Sequence, residues 1–158
     1  MPRLALLLLC ALMLTGAVPP VHQFAEGQVW EYRTRPGDKG SLLKIQKIER
    51  VPAFARYGPI FHVTIIGVRF GKRSDPTDSI DHAPFSRGAL DASVTQLSAA
   101  TTTFPDAAEG IAEWHRAKGG VFSMPVANAV ESVAQTLKGA DKPRKRLPKR
   151  SGLSRVRP

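Results

Sequence analysis

Apolar and polar residues alternate along the first half of the chain and then recur at helical spacing. From Val29 to Thr34 the pattern is strand-like, with Trp30, Tyr32 and Thr34 on one face and Val29, Glu31 and Arg33 on the other. Arg35-Pro36-Gly37-Asp38-Lys39-Gly40 has turn composition. Ser41 to Arg50 resumes the alternation at Leu43 and Ile45, but the next apolar residue is Ile48, a break that predicts a bulge or the end of pairing. Residues 28–50 therefore read as a β-hairpin. After a loop from Pro52 to Pro59, Ile60 to Phe70 carries the strongest strand signal. Phe61, Val63 and Ile65 share one face; His62, Thr64, Ile66 and Val68 share the other. A polar loop follows from Gly71 to Thr77, and Ser79 to His82 suggests a short fourth strand.

The period then changes to 3.6. Ser86 is a good N-cap for a helix along Leu90, Val94 and Leu97, with Phe85 placed to staple onto Leu90. A second helix is expected from Asp106 to Lys118, with acids early, Arg116 and Lys118 late, and Gly119 as its end. A third is expected from a Ser123 cap with Pro125 in its first turn, buried along Val126, Val130, Val133 and Leu137. Strands first and helices after is the α+β order: an antiparallel sheet of three to four strands followed by three helices.

The N-terminus changes where such a domain is expected to reside. Arg3 precedes an apolar run from Leu4 to Met13 and small residues up to Ala17. These are the three parts of a signal peptide, with cleavage expected after Ala17. As a helix, Leu4 to Ala17 reaches about 21 Å, short of the roughly 30 Å of a bilayer core. The chain is thus expected to be exported, to the periplasm or beyond, and not to be an integral membrane protein. Cys10 is the only cysteine and falls within the leader, so the exported part holds no thiol for a disulfide, a metal or a nucleophile.

Charge adds a third segment. The net charge of +10 is concentrated in residues 138–158, which hold nine Lys and Arg against the single acid Asp141. Residues 18–137, expected as one α+β domain, carry 13 basic and 12 acidic residues and are near neutral. The basic tail has three prolines and few apolar residues, a composition that predicts disorder. It has three readings: contact with an acidic envelope component held by salt-sensitive charge, a solubilising appendage, or an unselected extension of the reading frame; the partner is unknown. Aromatic residues interleaved for base stacking are absent from it, so specific nucleic-acid binding is not expected.

Candidate chemistry is sparse. The chain has no phosphate loop, dinucleotide fingerprint, H-E-x-x-H or G-x-S-x-G. His22, His62, His82 and His115 share no spacing that would hold one metal on one element. Asp75, Asp78 and Asp81 recur every third residue, but Pro76 interrupts them and no calcium-loop pattern is present. No metal or cofactor is expected. A hydrolytic site would have to use His82 with Asp81 and Ser86, although Ser86 already has a role as a cap. His62 reads as structural. Trp30 and Tyr32 read as core packing or as a binding platform, and Arg35 as solvated or as an anion contact.

One resemblance accompanies these features. Phe24-x-x-Gly27-Gln28-Val29-Trp30-x-Tyr32-x-Thr34-Arg35-Pro36, with Lys47-Ile48-Glu49, His82-x-Pro84-Phe85-Ser86 and Gly120-Val121-Phe122-Ser123, resembles a family of small bacterial proteins of uncharacterised activity. The likeness spans residues 24–137. It implies a bacterial source and one intact small domain, and it carries no substrate or catalytic residue. The expectation is therefore an exported, non-enzymatic accessory or binding module. The alternatives are a small hydrolase built on His82, or an adhesin that works through its basic tail.

Overall fold

The computed structural model describes residues 22–71 and 78–140. The expected leader with its cleavage site, Asp75 and Pro76, and the basic tail beyond Ala140 lie outside the described residues. Five strands form one antiparallel sheet: β1 (Val29–Tyr32), β2 (Leu42–Glu49), β3 (Ile60–Val68), β4 (Asp78–Ser86) and β5 (Val94–Leu97), in the order β4-β3-β2-β1-β5. Among the described residues three α-helices accompany it: α1 (Arg87–Asp91), α2 (Ala108–Ala117) and α3 (Val126–Ala140). The α+β class and the antiparallel sheet follow the sequence pattern.

Two elements differ from expectation. The fourth strand is not a short Ser79–His82 piece but nine residues, Asp78–Ser86, paired along β3. The helix expected along Leu90, Val94 and Leu97 stops after one turn, and Val94–Leu97 instead pairs with β1 as an edge strand. Leu90 and Val94 are buried but Leu97 is 55% exposed, so the three do not form one buried helical face. Pairing with the otherwise open edge of β1 satisfies backbone groups that a solvated helix end would leave to water.

The helix starts obey local chemistry. Ser86 Oγ accepts the Ala89 N–H at 3.3 Å, which makes it the N-cap of α1, and Phe85 and Leu90 both lie in the core. The first N–H of α3, that of Val126, goes to Ser93 Oγ at 2.8 Å rather than to the expected Ser123. Ser93 is buried and donates to Ala89 O, so one hydroxyl ties α1 to α3. α2 ends at Lys118 in the left-handed conformation, one residue before Gly119. Gly119 serves a different need: a Cβ there would lie 2.2 Å from the Trp114 ring.

The two sheet faces are covered differently. Trp30, Tyr32, Leu43, Ile45, Phe61, Val63, Ile65, Ala83 and Phe85 pack with Ala89, Leu90, Val126, Ala129 and Val130 into the main core. The opposite face is crossed by the segment after β5, whose Pro105 carbonyl accepts from Thr64 and Gln46, and is then covered by α2.

Bulges decide which residues reach that second face. Leu43 and Ile45 pair with Ile65 and Val63, but the register slips between Ile45 and Lys47, so Lys47 lies opposite His62. One extra residue reverses the side-chain parity of the strand beyond it. Ile48 thereby returns to the core, and Glu49 is placed on the face of His62. A second slip, opposite Thr64, lets His82 face His62 while Ile80 still packs against the core.

Candidate functional site

Three of the four histidines meet under α2, around Glu49. His62 is completely buried on β3, flanked by β2 and β4. Its Nε2 lies 2.8 Å from Glu49 Oε1 and its Nδ1 lies 2.8 Å from His82 Nε2. His115, from α2, places its own Nε2 2.8 Å from the same Glu49 Oε1. Lys47 Nζ lies 3.0 Å from the other carboxylate oxygen. The His62 and His82 rings are stacked at 5.1 Å, and Trp114 meets His62 edge-on at 5.1 Å.

These contacts fix the protons. Burial alone would raise the Glu49 carboxyl, but hydrogen bonds from Lys47 and His62 outweigh it and hold the group below its usual range. As a carboxylate it only accepts, so His62 Nε2 must carry a proton. A neutral His62 then accepts at Nδ1, and His82 donates from Nε2. Burial keeps His62 neutral by lowering its pKa, an effect Glu49 partly offsets. His82 is pushed down to about 4, chiefly by burial, with His62 and His115 adding repulsion. The result is a directed chain, His82 to His62 to Glu49, neutral on its imidazoles at pH 7.

α2 is fitted closely to this chain. A Cβ on Gly110 would come 2.4 Å from His82 Cβ, so only glycine lets the helix lie this near. Trp114 is 8% exposed, donates from Nε1 to Gly120 O at 2.7 Å and packs against Phe54. Among the described residues, no group of three or more His, Cys, Asp or Glu is placed to hold a metal. None of their buried side-chain N or O atoms lacks a partner.

The residues singled out from sequence are mostly not brought together. Asp81 is exposed and takes a hydrogen bond from Ser79 Oγ at 2.5 Å, not from His82. Ser86 lies four residues along β4 from His82, about 13 Å at strand rise, and its Oγ is committed to Ala89. His82, Asp81 and Ser86 thus form no nucleophile–base–carboxylate arrangement. Trp30 and Tyr32 are both buried in the main core and offer no ring face to a ligand. Tyr32 Oη lies 2.7 Å from Ser41 Oγ, which donates to Ile66 O. Arg35 borders an open cleft of about 710 Å³ with Asp38, Arg69 and Glu131. Its Nε donates to the buried Asp38 at 2.6 Å, and its two terminal nitrogens donate to Glu131 and to Arg69 O, each at 2.8 Å. That fork joins the β1–β2 turn, the end of β3 and α3.

Sequence reasoning missed the site because Glu49, His62, His82 and His115 come from four elements. The available signal was the broken alternation of Leu43, Ile45 and Ile48, which turns Glu49 toward His62. Among the described residues no helix is long and apolar enough to cross a membrane. Compared with known proteins, the chain matches no family model, no curated protein and no solved structure.

Proposed function

We propose that this chain is an exported bacterial accessory or binding module without catalytic activity, whose basic C-terminal residues contact an acidic component of the cell envelope. The observation that supports it most is the state of His62: both ring nitrogens are taken, by Glu49 and by His82. A general base needs an exposed nitrogen within reach of the proton it removes and a nucleophile to activate. Ser86 has its own cap bond, and α2 lies over His82. The cluster then serves as a clamp that fastens α2 to the sheet. Export rests on the Arg3–Ala17 leader pattern and on a folded part that needs no disulfide. Contact with an acidic partner rests on the nine basic residues of 138–158.

Retention on an anionic matrix at low salt tests the partner class. Deleting residues 139–158 is expected to abolish it, with the far-UV circular dichroism of the domain unchanged. Retention equal to that of the full chain rejects the tail as the contact. N-terminal sequencing of envelope fractions is expected to begin at Val18; intact Met1 in the cytoplasmic fraction rejects export.

A further inference from the structure

α2 meets the sheet at the histidine cluster, and its Trp114 also packs on Phe54 and bonds Gly120 O. Gly110 rests on His82, Trp114 meets His62 edge-on, and His115 bonds Glu49. The main core is built without α2: it joins the opposite sheet face to α1 and α3. α2 is therefore seated on a polar, titratable surface and can leave it with the core intact.

The pair has a limited capacity for protons. Two neutral imidazoles hold two protons on four nitrogens, with one N–H between the rings. One further proton fits on His82 Nδ1, and the inter-ring bond survives. A second would set N–H against N–H across a 2.8 Å gap, with two stacked cations. Glu49 cannot neutralise both, since it already accepts from Lys47 and His115.

We propose that the His62–His82 pair is an acid-triggered latch: protonation of the pair parts the two rings and releases α2 from the sheet, baring His62 and His82. The proposal is independent of the partner and of export. The charged groups around the pair are accounted for. β2 supplies Lys47 and Glu49, β3 His62 itself, and β4 His82 with Asp81 turned outward to Ser79. α2 supplies His115; its Glu109, Glu113, Arg116 and Lys118 are exposed, with Glu113 paired to Arg116. Asp106 caps Ala108, and Arg56 stacks on Tyr57. Acid thus removes the inter-ring bond and adds a cation facing His115, and Glu49, the carboxylate that touches the pair, already accepts from Lys47 and His115.

Amide hydrogen exchange on the full chain, corrected for its intrinsic pH dependence, tests this. Between about pH 7 and pH 3, which spans the second protonation below the His82 step, residues 111–118 are expected to lose about tenfold or more of their protection, while β3 keeps its own. Protection of α2 maintained to about pH 3 overturns the latch; so does simultaneous loss in α2 and β3. In His82→Gln the amide still donates to His62 Nδ1 but takes up no proton. Its α2 protection is expected to change less than about threefold over the same range. A His82→Gln chain that opens like the parent overturns the proposal, and the parent's own segment-by-segment profile decides it if that variant does not fold.

Discussion

His62 and His82, 20 residues apart in the chain, share one hydrogen bond, Nδ1 to Nε2 at 2.8 Å, and its direction is set by Glu49 on the other side of His62. Because the carboxylate claims His62 Nε2–H, His62 Nδ1 can only accept, and His82 can only donate. Three side chains are thus locked into one protonation pattern. A lone buried imidazole would have two tautomers to choose from.

Removing the carboxylate should unseat the chain. Glu49→Ala leaves the buried His62 N–H without its acceptor and also frees His115 and Lys47. A loss of about 1–3 kcal/mol is expected in denaturant unfolding. A change within about 0.5 kcal/mol, the range of an ordinary surface substitution, would count against the clamp.

The fit of α2 is a second check. Gly110→Ala gains helix propensity of about 1 kcal/mol, but its methyl would sit 2.4 Å from His82 Cβ. Overpacking costs about 1–3 kcal/mol, so the variant should be less stable despite the better helix former. In a double-mutant cycle, His82→Gly, which removes that Cβ, should relieve most of that loss. Additive losses would place the strain elsewhere.

Arg35 should matter for stability through Asp38. Asp38 is 1% exposed and depends on Arg35 Nε and the Arg69 N–H. Arg35→Met leaves that buried carboxylate without its ion pair and should cost about 3 kcal/mol or more. Glu131→Gln, at the exposed end of the same fork, should be much milder. Equal losses in denaturant unfolding would show that the bridge to α3, not Asp38, carries the effect.

Stability should fall toward both pH extremes for identifiable reasons. His82 is depressed to about 4, so the unfolded chain binds more protons below its ordinary pKa of 6.5. Stability is then full above 6.5 and is lost as pH falls toward 4. Tyr32 is raised to about 12, mainly by burial. Its contribution is full below pH 10 and is lost as pH rises from 10 toward 12. Urea midpoints measured across the range should show both slopes. Tyr32→Phe should flatten the alkaline one, and His82→Gln the acid one.

Much of the sheet is legible in the sequence, because a half-buried strand must alternate and its bulge must interrupt the alternation. Val29–Tyr32, Leu42–Glu49 and Ile60–Val68 are recognisable in this way, and Ser86 is recognisable as a cap. Leu90, Val94 and Leu97 mislead because a three-four spacing is equally that of one helical turn followed by an edge strand. What separates the two is the open edge of β1, a tertiary fact. β4 is longer than its short apolar stretch suggests because backbone pairing with β3, rather than side-chain pattern, carries it through Asp81 and His82. The histidine cluster is the least legible part. Four positions on four elements share no sequence spacing, and they converge only when two bulges and α2 set their faces. In sequence His82 stands beside Asp81 and Ser86, whereas its hydrogen-bond partner His62 is 20 residues away.

The account depends on a neutral, directed imidazole chain, and ring-nitrogen NMR of the four histidines observes it directly. At pH 7 His62 and His82 should both be neutral with the proton on Nε2, and His82 should titrate with a midpoint near 4. A proton on His82 Nδ1 with Nε2 bare at pH 7, an imidazolium at either residue, or a His82 midpoint near the ordinary 6.5 would contradict it.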